Sequence, residues 1–276
     1  MRIAIDGELV PPERATISVL DRGVLYGDGV FEVLRAHAGR AVDLDAHLAR
    51  LADGAAALQL RVPPPGQLAA WVALVLADGD GGRGDSRVRI ACTRGPGALA
   101  RRLGELAGGR TIVIAEPLPP QPTELALATV DWPLPPRRGA GVKALAYLDH
   151  VVARELAAAA GADEAIRLDA TGRVAECATS NLFIVHRGEV VTPPADTGGV
   201  LPGIVRARVL AACSRAAIPH AVRWIERGEL AIADEVFITS SLRNIVAATR
   251  VDGRTIARGP ITQRLAAEYR LDEPLL

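Results

Sequence analysis

The chain has 276 residues, 49% of them hydrophobic, which suffices for a sizeable core in one large or two ordinary domains. Its 32 basic and 32 acidic residues cancel and aromatic residues make up only 3%, so no partner nucleic acid is expected, whether held by a cationic footprint or by base stacking. Cys92, Cys177 and Cys213 are odd in number and far apart, which speaks against a disulfide framework and for a reducing, cytoplasmic setting.

In chain order, Ile3 to Val10 with an Asp6-Gly7 turn predicts a hairpin rather than an export signal. Gly29 to His37 predicts a strand, and Asp45 to Leu60 and Gln67 to Leu76 predict amphipathic helices. The longest apolar run, Leu68 to Ala77, falls short of the roughly 20 residues a membrane span needs, so no membrane partner is expected. Asp78 to Ser86 is a Gly/Asp-rich loop whose Arg83-Gly-Asp-Ser86 reads as a turn, and Arg87 to Thr93 and Thr111 to Ala115 read as strands. Pro117, Pro119, Pro120 and Pro122 stiffen a segment unfit for helix or central strand, so an N-terminal α+β domain is expected over 1–116 and a linker over 117–124. A C-terminal domain over 125–276, carrying Lys143, then follows. In it, strands are predicted at Ala126 to Asp131, Glu164 to Asp169, Arg173 to Glu176, Asn181 to His186 and Asp234 to Thr239. Helices are predicted at Leu148 to Ala160, Gly203 to Ala217 and Thr262 to Tyr269, the last with Thr262 as N-cap.

Lys143 is the only lysine; the other 31 basic residues are arginine. Arginine keeps its charge and is a poor nucleophile, whereas a desolvated lysine loses its proton and attacks carbonyls to form a Schiff base. The run Gly139-Ala-Gly-Val-Lys143-Ala-Leu-Ala-Tyr-Leu148 gives that amine an apolar setting. No Walker loop, dinucleotide fingerprint, nucleophile elbow or metal-spaced His/Cys set is present.

A Schiff-base lysine needs an aldehyde partner, and pyridoxal 5'-phosphate supplies one together with an electron sink. Its phosphate calls for an arginine or a helix N-terminus and its ring nitrogen for a carboxylate. Arg50, Glu176, the Leu201-Pro-Gly-Ile-Val-Arg206 turn and the strand end Thr239-Ser-Ser241 are candidates.

The chain resembles, nearly end to end, the class IV (fold-type IV) pyridoxal-phosphate aminotransferases, a group that includes branched-chain and D-amino-acid aminotransferases and 4-amino-4-deoxychorismate lyase. The likeness is carried by Asp21-Arg-Gly-Val-Leu-Tyr-Gly-Asp-Gly-Val-Phe-Glu-Val33, His47-Leu-Ala-Arg50-Leu, Val142-Lys143-Ala-Leu, Gly161-Ala-Asp-Glu-Ala, Glu176 with Ser180-Asn181-Leu-Phe, Thr192-Pro-Pro, Leu201-Pro-Gly-Ile and Ala233-Asp-Glu-Val-Phe-Ile-Thr-Ser. It implies an α/β fold of two domains, an α+β one and a barrel-like C-terminal one, with the cofactor in the interdomain cleft, and a homodimer. It implies Lys143 as the Schiff-base and proton-shuttling residue, Arg50 on the phosphate and Glu176 on the ring nitrogen. Ile204, Val205 and Ser241 complete the phosphate shell in that reading, with Leu201 beneath the ring and Ser180 and Asn181 nearby.

Of three departures from the family, the first bears on the phosphate turn, where a side-chain hydroxyl is lost and the backbone amide remains, and the other two bear on substrate. Val205 stands where the family often has Thr. Leu148 stands five residues beyond the lysine, where branched-chain enzymes carry a tyrosine, with Tyr147 one position earlier. Phe31, Leu99 and Arg101 differ from the tyrosine, arginine and histidine of the best-known D-amino-acid enzymes. Arg94 and Arg243 offer guanidinium forks for a carboxylate, and with Phe31 and Leu242 they are the substrate candidates. Transamination between an amino acid and a 2-oxo acid is the leading expectation. The lyase, which releases pyruvate from aminodeoxychorismate to give 4-aminobenzoate, is the alternative, and a cofactor-binding protein without catalysis is a remote third.

Overall fold

The computed structural model describes residues 1–77, 84–98, 100, 102, 108–134, 141–195 and 199–269. The chain divides into two compact units, one of Met1–Pro120 with Val142–Tyr147, the other of Gln121–Gly141 with residues 148–269. The division falls inside the proline-rich segment. The short Val142–Tyr147 segment, expected with the second domain, belongs to the first.

The first unit is an antiparallel sheet built from β1 (Arg2–Ile5), β2 (Glu8–Val10), β3 (Gly29–His37), β4 (Arg40–Ala41), β5 (Ser86–Thr93) and β6 (Thr111–Pro117), in the order β2-β1-β6-β5-β3-β4. A short α1 (Arg22–Tyr26) precedes β3, and α2 (Leu44–Ala57) and α3 (Pro65–Leu76) follow β4. The helices bury Leu48, Leu51 and Ala55, and Leu68, Val72 and Val75, at three- and four-residue spacing. Those stripes meet Leu34, Val88, Ile90 and Val113, which alternate along the strands. The predicted hairpin forms, with Asp6 at φ 52° and Gly7 at φ 89°. A Cβ on Gly7 would come within 2.3 Å of the Trp71 ring, so the turn also needs glycine for space.

What the sequence pattern does not show is how Lys143 joins this sheet. Phe31 N donates to Lys143 O at 2.9 Å, and Leu145 N donates to Gly29 O at 2.9 Å, with Val30 and Ala144 bridged between them. β4 reaches only Ala36 and His37, so residues 143–145 pair with the far end of the same edge of β3. Partly buried Val142 packs onto the α2 core.

The second unit carries β7 (Glu124–Thr129), α4 (Leu148–Ala159), β8 (Glu164–Leu168), β9 (Val174–Cys177), β10 (Asn181–His186), β11 (Glu189–Thr192), α5 (Ile204–Arg215), β12 (His220–Val222), α6 (Arg227–Ile232), β13 (Glu235–Ser240), β14 (Asn244–Val251), β15 (Arg254–Thr255) and α7 (Pro260–Glu268). Its sheet runs β12-β11-β10-β13-β14-β7-β8-β9, with β15 on β14. β7 is parallel to both neighbours and β11 is parallel to β12; the other pairs are antiparallel. The middles of β10 and β13, Leu182 to Val185 and Val236 to Ile238, are continuously apolar because both of their faces are covered. Leu182, Ile184, Val236 and Ile238 enter one core, while Phe183, Val185 and Phe237 enter another against Val209 and Cys213 of α5 and Leu265 of α7. Phe183 and Phe237, paired in register, stack with centroids 4.7 Å apart.

α7 begins earlier than predicted. Thr262 lies inside the helix, and the first amides are capped by Glu235 of β13, whose carboxylate accepts from Ile261 N at 3.1 Å and Thr262 N at 2.8 Å. A buried carboxylate at a helix N-terminus is favoured by the helix dipole, and it leaves Thr262 no role as cap. Among the described residues no helix is long and apolar enough to cross a membrane.

Candidate active site

In the first unit the Lys143 amine lies 4.7 Å from the Phe31 ring centroid and 5.6 Å from that of Tyr147, and the two rings meet edge to face at 5.2 Å. The lysine is half-buried. Aromatic faces attract the ammonium form and give the neutral amine an apolar wall. Tyr147 thus takes the place beside the amine that the sequence left open between it and Leu148, whose side chain is exposed.

Arg89, on β5, was not singled out in the sequence. Its guanidinium sits 4.1 Å from the same Phe31 centroid, and burial pulls its pKa below the ordinary arginine value despite nearby Tyr147. It still remains cationic. This places a half-buried cation and the lysine amine on one ring.

Arg94 behaves differently from its expectation as a substrate ligand. Its side chain is 2% exposed; Nε donates to both oxygens of Asp28 at 2.8 and 2.9 Å, Nη1 to Gln59 O at 2.9 Å and Nη2 to Leu58 O at 2.7 Å. Asp28 also accepts from Arg22 Nε at 2.8 Å. Asp21 accepts from Gly23 N at 2.7 Å and from the Thr93 hydroxyl at 2.8 Å. The charged residues around Arg22 therefore pin the loop before β3 to the end of β5, and Arg94 is structural. Leu99 and Arg101 lie outside the described residues.

Arg50 projects from α2 toward β3. Its Nε and Nη2 each donate to Glu32 at 2.7 Å, a bidentate pair, and His47 Nδ1 lies 2.7 Å from the same carboxylate. Glu32 is wholly buried. Burial pushes its pKa up, but the hydrogen bonds from His47 and Arg50, reinforced by charge, outweigh this and hold it at about 2. Burial lowers the His47 pKa although the Glu32 carboxylate opposes this, so the imidazole is neutral and donates through Nδ1.

In the second unit, Glu176 of β9 is buried and its Oε2 accepts from Asn181 Nδ2 at 3.2 Å and Leu201 N at 3.0 Å. Asn181 Nδ2 also donates to Leu201 O at 2.9 Å, closing a network of the three. Gly203 precedes α5 and makes no side-chain cap; a Cβ there would lie 1.8 Å from Asn181 Oδ1. The amides of Ile204 and Val205 thus open a helix whose cap position is bare backbone. Ser180 Oγ and, on β13 opposite Asn181, Thr239 Oγ1 are buried without a hydrogen-bond partner. Ser241, Leu242 and Arg243 form the turn between β13 and β14, and Arg243 Nη1 donates to Glu164 at 3.1 Å.

Sequence comparison shows the family. The profile of "Amino-transferase class IV" matches residues 29–251. The chain belongs to the class IV aminotransferases. A putative branched-chain-amino-acid aminotransferase of Methanocaldococcus jannaschii is 34% identical over 98% of this chain and 96% of its own length. A D-alanine aminotransferase of Bacillus licheniformis is 30% identical over 96% and 94%. Among solved structures, the branched-chain aminotransferase of Thermoproteus uzoniensis with norvaline superposes with a TM-score of 0.88 at 32% identity, covering 97% of this chain and 92% of that one. The 4-amino-4-deoxychorismate lyase of Pseudomonas aeruginosa gives 0.86 at 32% identity, covering 98% of each chain. A "T.th." branched-chain aminotransferase with pyridoxamine 5'-phosphate gives 0.85 at 28% identity, covering 96% and 91%. The fold of this class IV aminotransferase is therefore the two-domain α/β fold of fold type IV, and its cofactor is pyridoxal 5'-phosphate.

Proposed function

We propose that this class IV aminotransferase bonds pyridoxal 5'-phosphate to Lys143 and moves an amino group between an amino acid and a 2-oxo acid. The observation that carries the reading is the setting of the chain's only lysine, whose amine faces two aromatic rings while the backbone around it is hydrogen-bonded to β3.

The other residues suit the same cofactor. Unpartnered buried hydroxyls on Ser180 and Thr239 and a helix start whose cap is a glycine suit a phosphorylated, hydrogen-bonding guest better than an apolar one. Arg50, fixed by Glu32, brings positive charge to the phosphate, with the amides of Ile204 and Val205 and the Ser241 hydroxyl completing its shell. Glu176, oriented by Asn181 and the Leu201 amide, keeps a proton on the ring nitrogen, while Leu201 packs against the ring and Ser180 and Asn181 border it. When bound, the cofactor supplies an aldehyde carbon for the substrate amine and a conjugated ring that spreads the negative charge left at Cα. Lys143 Nζ would take the substrate Cα proton and deliver it to the carbon that was the cofactor's aldehyde carbon, so that the amino group stays with the cofactor and water releases the 2-oxo acid. Arg89 beside Phe31 offers a fork for a carboxylate on the substrate, with Leu242 lining the substrate side.

The lyase is the second reading, favoured by the near-complete mutual coverage with the Pseudomonas enzyme. The same lysine serves there, as pyruvate leaves and the ring aromatises. The deciding experiment follows the absorption of the cofactor-loaded protein during separate additions of D-alanine, D-glutamate, L-glutamate and L-leucine without oxo acid. Conversion to the pyridoxamine form by one donor establishes transamination and its handedness. No conversion, with pyruvate released from aminodeoxychorismate, establishes the lyase. A Lys143→Ala protein that folds yet turns over at the wild-type rate refutes both readings.

We also propose that the enzyme acts in the cytoplasm as a homodimer. Its three described cysteines are unpaired and buried, and Val19, Leu20, Val24, Leu25 and Tyr26 form an exposed apolar run that a second copy would cover. A monomer in sedimentation would refute the dimer.

A further inference from the structure

We propose that Glu164, which touches neither cofactor nor substrate in the reading above, is a positioning residue that sets the turn carrying Ser241 against the turn carrying Ser180. The inference rests on that reading. Glu164 opens β8 and is wholly buried. Its Oε2 accepts from Arg243 Nη1 at 3.1 Å and from the Thr179 hydroxyl, and its Oε1 accepts from Ala165 N at 3.2 Å.

Thr179 lies in the turn from β9 to β10, between Glu176 and Asn181, and Arg243 lies in the turn from β13 to β14, next to Ser241 and Leu242. β10 and β13 are antiparallel with Asn181 opposite Thr239, so the two turns leave the sheet at the same end. β8 runs antiparallel to β9, which brings the first residue of β8 to that end as well.

One buried anion thus receives a donor from each turn. A buried carboxylate is costly unless its partners stay in place, so each turn is held at the position that keeps Glu164 satisfied. The same two elements carry the buried hydroxyls without partners, Ser180 Oγ and Thr239 Oγ1. Polar atoms can be left open toward a ligand only where the surrounding frame is fixed by other bonds, and Glu164 supplies such bonds to both sides. This accounts for Arg243 differently from a direct substrate contact: its guanidinium is directed at Glu164, and the spacing of Ser241 and Leu242 depends on it.

The test uses pyridoxamine 5'-phosphate and pyridoxamine, which differ only in the phosphate, titrated into the cofactor-free full-length protein by tryptophan fluorescence. In Glu164→Gln the phosphorylated compound should bind about tenfold more weakly, the equivalent of one hydrogen bond to a charged group, while pyridoxamine binding is unchanged. Glu164→Gln with Arg243→Gln removes both charges, so no buried ion is left alone, and should be no worse than the single change, as expected for groups acting as one unit. Unchanged affinity for the phosphorylated compound, or an equal loss for both compounds, would overturn the proposal while leaving the function intact. Failure of the wild-type protein to bind the phosphorylated compound would overturn the function itself.

Discussion

The ion pair beneath Arg50 makes a quantitative test. Replacing Glu32 with glutamine keeps the shape but gives Arg50 one acceptor oxygen and one amide donor where two acceptors stood. The carboxylate's fall from an ordinary 4.5 to about 2 in the folded chain corresponds to about 3 kcal/mol of stability at neutral pH. The folded value is depressed, so this contribution is complete above pH 4.5 and is lost as pH falls through about 2; linkage leaves about 1 kcal/mol of it at pH 3. Glu32→Gln should therefore unfold in urea about 3 kcal/mol below wild type at pH 7, with the gap narrowing to about 1 kcal/mol at pH 3. A gap that stays constant between those pH values would show that the ionised carboxylate is not what holds Arg50, and the argument for its orientation would fail.

Three further outcomes follow from particular contacts. Gly203→Ala puts a Cβ 1.8 Å from Asn181 Oδ1, which must swing the amide away from Glu176 and Leu201; bound cofactor should be lost on gel filtration and stability should fall by about 1 to 3 kcal/mol. An unchanged melting temperature with full cofactor content would contradict this. Gly27→Ala forces a side chain onto a residue at φ 65° and within 2.7 Å of the Ala146 Cα, so it should cost at least about 1 to 2 kcal/mol from backbone alone and displace the lysine segment; borohydride trapping of the cofactor on Lys143 at the wild-type rate would refute it. Arg89→Gln should raise KM for a dicarboxylic amino acid about ten- to hundredfold, as for a lost hydrogen bond to a charged group, with KM for a monocarboxylic one nearly unchanged. An equal change in both would remove Arg89 from substrate recognition.

The parts of the fold that were legible are those whose signals are local. β3 and β10 occur over the residues their composition predicts, because β-branched and aromatic runs bounded by Gly, Asn or turn residues carry their own limits. The start of α7 was misplaced because its cap comes from Glu235, 26 residues away from Ile261. The same reason separates the sites. Lys143 stood out by being the only lysine, but its pairing to β3 depends on backbone bonds across more than a hundred residues and leaves no pattern around Gly141 to Tyr147. Arg94 looked available because nothing near it in sequence is acidic, while its partners are Asp28 and the carbonyls of Leu58 and Gln59. Arg89 carries no signal of its own in the sequence because it alternates with Arg87 on β5, and only the position of Phe31 on the neighbouring strand distinguishes it.

The return of residues 142–147 to the first sheet has a consequence for synthesis. A ribosome delivers β1 through β6 before that segment exists, so for the time needed to add some twenty-five residues, the first half of β3 presents amides and carbonyls with no neighbour on one side. A nascent chain halted at Pro120 would hold a nearly complete domain with an adhesive margin and no lysine. The residue proposed for the chemistry is thus delivered by the same short stretch that seals the edge, and an N-terminal fragment would need that hexapeptide restored before either its solubility or its reactivity could be judged.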